Sequence, residues 1–187
     1  MRVLGIDPGT ICTGWGVVEV APVTRGAGSG HRCVASGVIR ARGSLAERLA
    51  HIFAGVSDIL AEHRPEAVSL EKTFVSENVQ SAFRLGEARG SILVAAARAG
   101  VVVHEYSPAE IKVAVVGYGR AVKDQVQSMV TRLLVLSTEP GADEADALAA
   151  ALCHLYAHRL RDLAPAPARQ RTAGGRSRAV SARQWRR

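Results

Sequence analysis

Four carboxylates stand where they could act together. Asp7 follows the short apolar run at residues 2–6 and precedes Pro8-Gly9. Glu71 closes a second run in which Val68 and Leu70 are apolar. Asp143 and Asp146 open a late helical segment, and at a spacing of three they share one helix face. A helix N-terminus favours negative charge there. Acids drawn from separate elements repel one another unless a cation joins them. Hard divalent ions such as Mg²⁺ or Mn²⁺ suit such a set, because they take oxygen ligands, need few protein groups and keep waters. Two ions about 4 Å apart can activate a water and stabilise the leaving oxygen of a phosphodiester. Singly, the acids have plainer uses: Asp7 as a turn former, Asp143 as a helix N-cap. Glu71 at a strand end has no such routine use, and the joint pattern is more specific than any member.

The elements that must position these acids can be read from periodicity and punctuation. Residues 2–6 read as a buried strand, residues 12–20 as a second and residues 33–40 as a third, with a Gly, Pro and Ser-rich loop at 21–31. Ser44-Leu45-Ala46-Glu47 is a capping box, and Leu45, Leu49, Ile52, Val56, Ile59 and Leu60 follow at helical spacing. Residues 66–71 read as a fourth strand. A long helix is expected from Ser76 or Glu77 to Gly100, rich in small residues that let another backbone approach. Residues 101–106 form a fifth strand. Ser107-Pro108-Ala109-Glu110 is a second capping box, opening a short helix that stops near Gly117. Helices over about 121–136 and 143–160 complete the pattern. The expectation is a mixed five-stranded α/β sheet, with an antiparallel hairpin beside a parallel part and helices on both faces. If strands one and four are parallel neighbours, Asp7 and Glu71 project from the carboxyl edge, where open α/β sheets bind ligands.

The chain has 187 residues, 48% apolar, which is enough for one substantial core. Its net charge of +7 is unevenly placed. Residues 1–158 carry 15 Lys/Arg against 16 Asp/Glu, whereas residues 159–187 carry nine Arg and one acid. The basic excess therefore belongs to an arm and does not make the domain itself a nucleic-acid binder. The expected division is one folded domain at 1–160 and a basic, disordered tail at 161–187. Three widely spaced cysteines, Cys12, Cys33 and Cys153, offer neither a zinc framework nor a disulfide scaffold. With no signal-like segment and no membrane span, a cytoplasmic location is expected.

Longer motifs then carry a resemblance. Gly5-Ile6-Asp7-Pro8-Gly9-Thr10, followed by Thr13-Gly14-Trp15-Gly16-Val17-Val18, resembles the opening of the RuvC family of Holliday-junction resolvases. Leu70-Glu71-Lys72-Thr73-Phe74 is similar to its second motif, and Leu85-Gly86-Glu87-Ala88-Arg89-Gly90 to its long helix. Lys112, the Val115–Gly119 loop and Lys123-Asp124-Gln125-Val126 resemble its basic loop region. Residues 142–149 resemble its last motif, and the motifs appear in family order over roughly residues 1–158.

The resemblance implies a ribonuclease-H-like fold and a homodimer. It implies an enzyme that resolves four-way DNA junctions by paired symmetric nicks, using two Mg²⁺ ions (Mn²⁺ may substitute) and leaving 5′-phosphate and 3′-hydroxyl ends. The catalytic and metal-binding acids carry over to Asp7, Glu71, Asp143 and Asp146. The DNA-contacting lysines carry over to Lys112 and Lys123, the latter also expected beside the scissile phosphate, and the base-packing aromatic to Phe74. A branch-migration helicase complex is implied as a partner.

The residues agree with these transferred roles. The chain has only three lysines, Lys72, Lys112 and Lys123, all inside the matched motifs. Phe74 lies among polar neighbours with no periodicity to bury it, and an exposed aromatic there can stack on an unpaired base. Arg84 and Arg89 are candidate phosphate contacts, or a balance for Glu87. Arg120 lies in the loop before Lys123, where small and acidic residues are usual in the family, and is a further candidate contact. Phe83 is expected in the core or at a dimer interface. His154 and His158, four apart, are expected in packing or surface roles, because nothing completes a metal site.

Three other readings are weaker. A junction-binding scaffold without cleavage would need only the basic tail. An actin-like ATPase shares the Gly-Ile-Asp-Pro-Gly-Thr turn but needs two such domains. A ribonuclease H acting on hybrids shares the metal logic but not this motif order.

Overall fold

A computed structural model describes residues 1–22, 30–72 and 79–163. Five strands form one sheet: β1 (Arg2–Asp7), β2 (Cys12–Val20), β3 (His31–Arg40), β4 (Ala67–Glu71) and β5 (Val102–Tyr106). Their spatial order is β3-β2-β1-β4-β5. β1 pairs antiparallel with β2, and β2 with β3, while β1–β4 and β4–β5 are parallel. The expected mixture of a hairpin and a parallel half is therefore the one observed, and β1 is its centre.

Five helices cover the sheet: α1 (Leu45–His63), α2 (Val79–Arg98), α3 (Pro108–Val116), α4 (Lys123–Leu133) and α5 (Ala142–Leu163). Side chains on a strand alternate between faces, and the two cores follow that alternation. Leu4, Ile6, Val68 and Leu70 pack with Ile52, Val56, Ile92 and Ala96 of α1 and α2. Val3 and Val18 pack on the other face with Ile111, Val126, Leu148 and Leu152 of α3, α4 and α5. Both expected capping boxes form: Ser44 with Glu47, and Ser107 with Glu110. Each satisfies orphan donors at its helix start.

Some boundaries differ from expectation. β3 starts at His31, two residues early, because Arg32 pairs with Glu19 across the ladder. α4 is shorter than 121–136: Val122 is its extended N-cap, and Val135 takes a left-handed φ of 52° just past its end. α5 continues to Leu163. Phe83 is 70% exposed, so it is not a core residue. His154 is buried against His104 and Tyr106. Among the described residues, no helix is long and apolar enough to cross a membrane.

Candidate active site

The alternation that builds the two cores also aims the acids. On β1, Val3 and Gly5 face α5, so Asp7 at the strand end shares that face. On β4, Val68 and Leu70 face α1 and α2, so Ser69 and Glu71 face α5. Ser69 confirms the direction by donating its hydroxyl to the Ala150 carbonyl at 2.6 Å. Ile6 and Leu70 are register partners in the parallel ladder, which puts the next residues, Asp7 and Glu71, at the same carboxyl edge.

Glycines bring the third element down. A Cβ on Gly5 would collide with the Ala147 carbonyl, one on Gly14 with the Asp143 carbonyl, and one on Gly16 with Leu148 at 2.5 Å. Three bare positions on β1 and β2 thus form the bed on which α5 lies, with its first turn over Gly14. Asp143 and Asp146 reach the sheet edge for that reason. The Pro8–Ile11 turn beyond Asp7 is held by Thr13, whose buried hydroxyl donates to the Gly9 carbonyl at 2.7 Å.

The electrostatics show the four acids as one cluster. Burial, then Asp146, Glu71 and Asp143, push the Asp7 carboxyl up to about 7, against the pull of Lys123. Burial and Asp146 raise Glu71, which Lys123 and Lys112 oppose. Asp146 is raised by burial and Asp143, and again Lys123 and Lys112 act against the shift. Lys123 Nζ stands 3.7 Å from Asp146 Oδ2 while 76% of its side chain stays exposed. It is the first residue of α4, where a cation opposes the helix dipole. Its placement therefore serves the acids and not the helix.

This donor set fits a hard divalent cation: all oxygen, mutually repelling, and held half-buried at one edge. Among the described residues, no three His, Cys, Asp or Glu groups are drawn onto one point as a complete cage.

The remaining candidates divide. Lys112 on α3 is half-buried and within electrostatic reach of Glu71 and Asp146. Arg120 is exposed between α3 and α4, and Arg84 is exposed on α2. Arg89 is half-buried and ion-paired with Glu105, linking α2 to β5. The acid it balances is thus Glu105 and not Glu87, and its guanidinium is already engaged. Phe74 lies outside the described residues.

Two neighbours escaped the sequence reading. The Cys12 thiol is hydrogen-bonded to Asp143 and, with burial as the first cause, is raised above its ordinary value. Arg40, its register partner on β3, lies close enough to pull that value down. The alternation of β2 places Cys12 on the face of Gly14, which is a detectable signal. Nothing local distinguishes Arg40 from other arginines.

The family model described as crossover junction endodeoxyribonuclease RuvC matches residues 3–154. The chain is 49% identical over 176 residues to crossover junction endodeoxyribonuclease RuvC of Chromohalobacter salexigens, covering 94% of this chain and 91% of the relative. It is similar to the solved structure of Thermus thermophilus RuvC, at 38% identity and a TM-score of 0.77, over 86% of this chain and 97% of that one. It is also similar to T. thermophilus RuvC in complex with Holliday junction substrate, at 38% identity and a TM-score of 0.79, over 86% and 96% of the two chains.

Proposed function

Because the chain belongs to the RuvC family, we propose that it is a crossover junction endodeoxyribonuclease that resolves four-way DNA junctions by paired symmetric nicks. The observation that carries the reading is the set of Asp7, Glu71, Asp143 and Asp146, gathered at one sheet edge with Lys123 beside Asp146. The ribonuclease-H-like sheet supplies the edge, and α5 supplies half of the acids.

In this reading the four carboxylates hold two Mg²⁺ ions, with Mn²⁺ able to substitute. The ions, when bound, supply Lewis acidity that favours a hydroxide-like water and offsets charge on the leaving oxygen. Water oxygen bonds to phosphorus, the bond from phosphorus to the 3′ oxygen breaks, and that oxygen takes up a proton. The products are a 5′-phosphate and a 3′-hydroxyl. Lys123 offsets charge growing on the phosphate oxygens, and Lys112 holds the neighbouring backbone. Arg120 and Arg84 extend the phosphate contacts, Arg89 fixes α2 against β5, and Phe74 packs on a base at the opened crossover.

Two nicks on symmetric strands require two sites, and a homodimer provides them. The exposed face of α2 supports it. Val79 and Phe83 project there, and a Cβ on Gly86 or Gly90 would meet nothing within 4 Å in the protomer, leaving room for a second backbone. Residues 1–160 are assigned as the nuclease domain and 161–187 as a basic arm adding salt-sensitive DNA affinity. A cytoplasmic location accords with three cysteines that are all unpaired. A branch-migration helicase complex is the partner that family membership suggests.

The deciding experiment incubates the protein with a labelled four-way junction and with linear duplex, in Mg²⁺ or EDTA, beside Asp7→Asn. Paired nicks in the junction only, requiring both metal and Asp7, are expected. Tight binding without nicks across varied junction core sequences would replace the nuclease reading with a junction-binding scaffold.

A further inference from the structure

The sheet edge opposite Asp7 carries a groove that the nuclease reading does not use. It lies between the C-terminal halves of α1 and α2 and has a volume of about 650 Å³. Phe53, Leu60, Pro65 and Val101 line its apolar floor, and Arg64 and Arg98 line its rim. Both arginines are exposed. The Arg98 guanidinium stands 6.0 Å from the Phe53 ring centroid, so cation and floor are contiguous. Among the described residues, neither arginine has an ion-pair partner.

Arg64 adopts an unusual backbone. It caps α1 at φ 46° and ψ 56°, a left-handed conformation that glycine takes freely and other residues take at a cost. Pro65 follows and narrows the choice further. Glycine would cap the helix with less strain, so what arginine adds is its side chain. Helix ends account for part of the charge: each C-terminus carries about half a negative charge. Of the residues that line the groove, the two arginines are the charged ones, and each carries a full positive charge against the half charge of a helix end.

We infer that this groove docks a segment of a partner protein in which large apolar side chains alternate with carboxylates. The floor takes the apolar groups, and the arginines take the carboxylates in forked, charge-assisted bonds. DNA would use the arginines but leave the apolar floor unfilled. The chain's own C-terminal arm has the wrong sign of charge. The groove lies beyond the start of β4, and Ala67 and Glu71 are separated by about 13 Å of strand. Junction and partner can therefore be held at once.

The test uses full-length, ¹⁵N-labelled protein and a short synthetic peptide of leucine, phenylalanine and glutamate. A second peptide carries lysine in place of glutamate. Amide shifts at Phe53, Ser57, Ala61, Ala95 and Ala99 are expected with the acidic peptide, and affinity about tenfold weaker or worse with the lysine peptide. Arg64→Glu with Arg98→Glu should weaken acidic-peptide binding by at least about tenfold and leave junction cleavage unchanged. Arg64→Gly separates charge from folding: its Tm should rise while peptide affinity falls. Shifts confined to the arginine-rich C-terminal residues, equal binding of both peptides, unchanged affinity in the double variant, or cleavage lost together with binding would each overturn the assignment.

Discussion

Asp7 and Gly14 are register partners across the antiparallel β1–β2 ladder, and Gly14 has no space for a side chain because the Asp143 carbonyl occupies it. The two residues thus tie three elements together: one strand supplies an acid, its neighbour supplies an absence, and a helix 129 residues beyond Gly14, at Asp143, descends into that absence. Asp146, one turn further, joins Asp7 through the same contact. The site depends on close packing as much as on carboxylate chemistry.

Gly14→Ala tests this relationship. The added methyl must lift α5, which should cost about 1–3 kcal/mol as overpacking. Cleavage should fall by at least about tenfold, because the Asp143 and Asp146 carboxylates move with the helix. Urea denaturation and single-turnover cutting of a junction measure the two effects. Gly141→Ala is the control: its Cβ meets open space, so α5 is not lifted, and only alanine's poorer N-cap preference, about 1 kcal/mol, should show while cleavage is kept.

The raised Asp7 carboxyl, at about 7 against an ordinary 3.8, sets a pH dependence for the metal-free protein. Between those values the fold holds a proton that the unfolded chain has released. Stability therefore falls as pH rises through that window. Asp7→Asn should match the wild type near pH 4 and exceed it by roughly 1–3 kcal/mol at pH 8 in EDTA. Thermal melts across pH provide the measurement. Equal stability of the two proteins at pH 8 would show that the acids do not strain one another. Mg²⁺ should raise the wild-type Tm more than that of the variant.

His154 gives the opposite slope further along α5. Burial first, then His104, hold its pKa down to about 4 from 6.5. Its neutral form suits the fold, so its contribution is complete above about 6.5 and is lost as pH falls toward 4. Tyr106 Oη lies 2.8 Å from His154 Nδ1, and Tyr106→Phe removes that partner. A loss of about 1–2 kcal/mol at pH 7.5 is expected by urea denaturation, with junction affinity unchanged.

Lys123→Gln should separate cutting from folding. The ammonium lies 3.7 Å from Asp146 and opposes the α4 dipole, so the fold has little need of it. Junction cleavage should drop by about 10²-fold, while affinity changes by less than about tenfold. Single-turnover rates and a binding titration in Ca²⁺ distinguish the two. A proportional loss of both would make Lys123 a binding residue only.

Phe83→Glu addresses the dimer. Phe83 is 70% exposed in the protomer, so the change should leave protomer stability within about 0.5 kcal/mol. Light scattering should show monomers, and junctions should receive single nicks in place of paired ones. A wild-type protein that is monomeric with and without junction would remove the dimer from the mechanism.

Local chemistry made much of this protein legible. The boxes at Ser44 and Ser107 are sequence-local devices, and both formed. Strand alternation in β1 and β4 separates the two cores, and that pattern is written residue by residue. The acids were recognisable as a set because strand ends and a helix start are visible in one dimension, and because the surrounding motifs match a family. Contacts between distant elements were not legible. Glu105 as the partner of Arg89, Cys12 beside Asp143 and the exposure of Phe83 each depend on how elements pack, and no local preference encodes them.

The sequence by itself determined which elements form, which face of each is apolar and which acids end at strand and helix termini, because propensity, capping and periodicity act over a few residues. Only the tertiary structure decided that Asp7 is buried, and crowded by the other acids, enough to be lifted to about 7. That shift needs burial and three other carboxylates at once, and the close approach of α5 to Gly5, Gly14 and Gly16 brings them together.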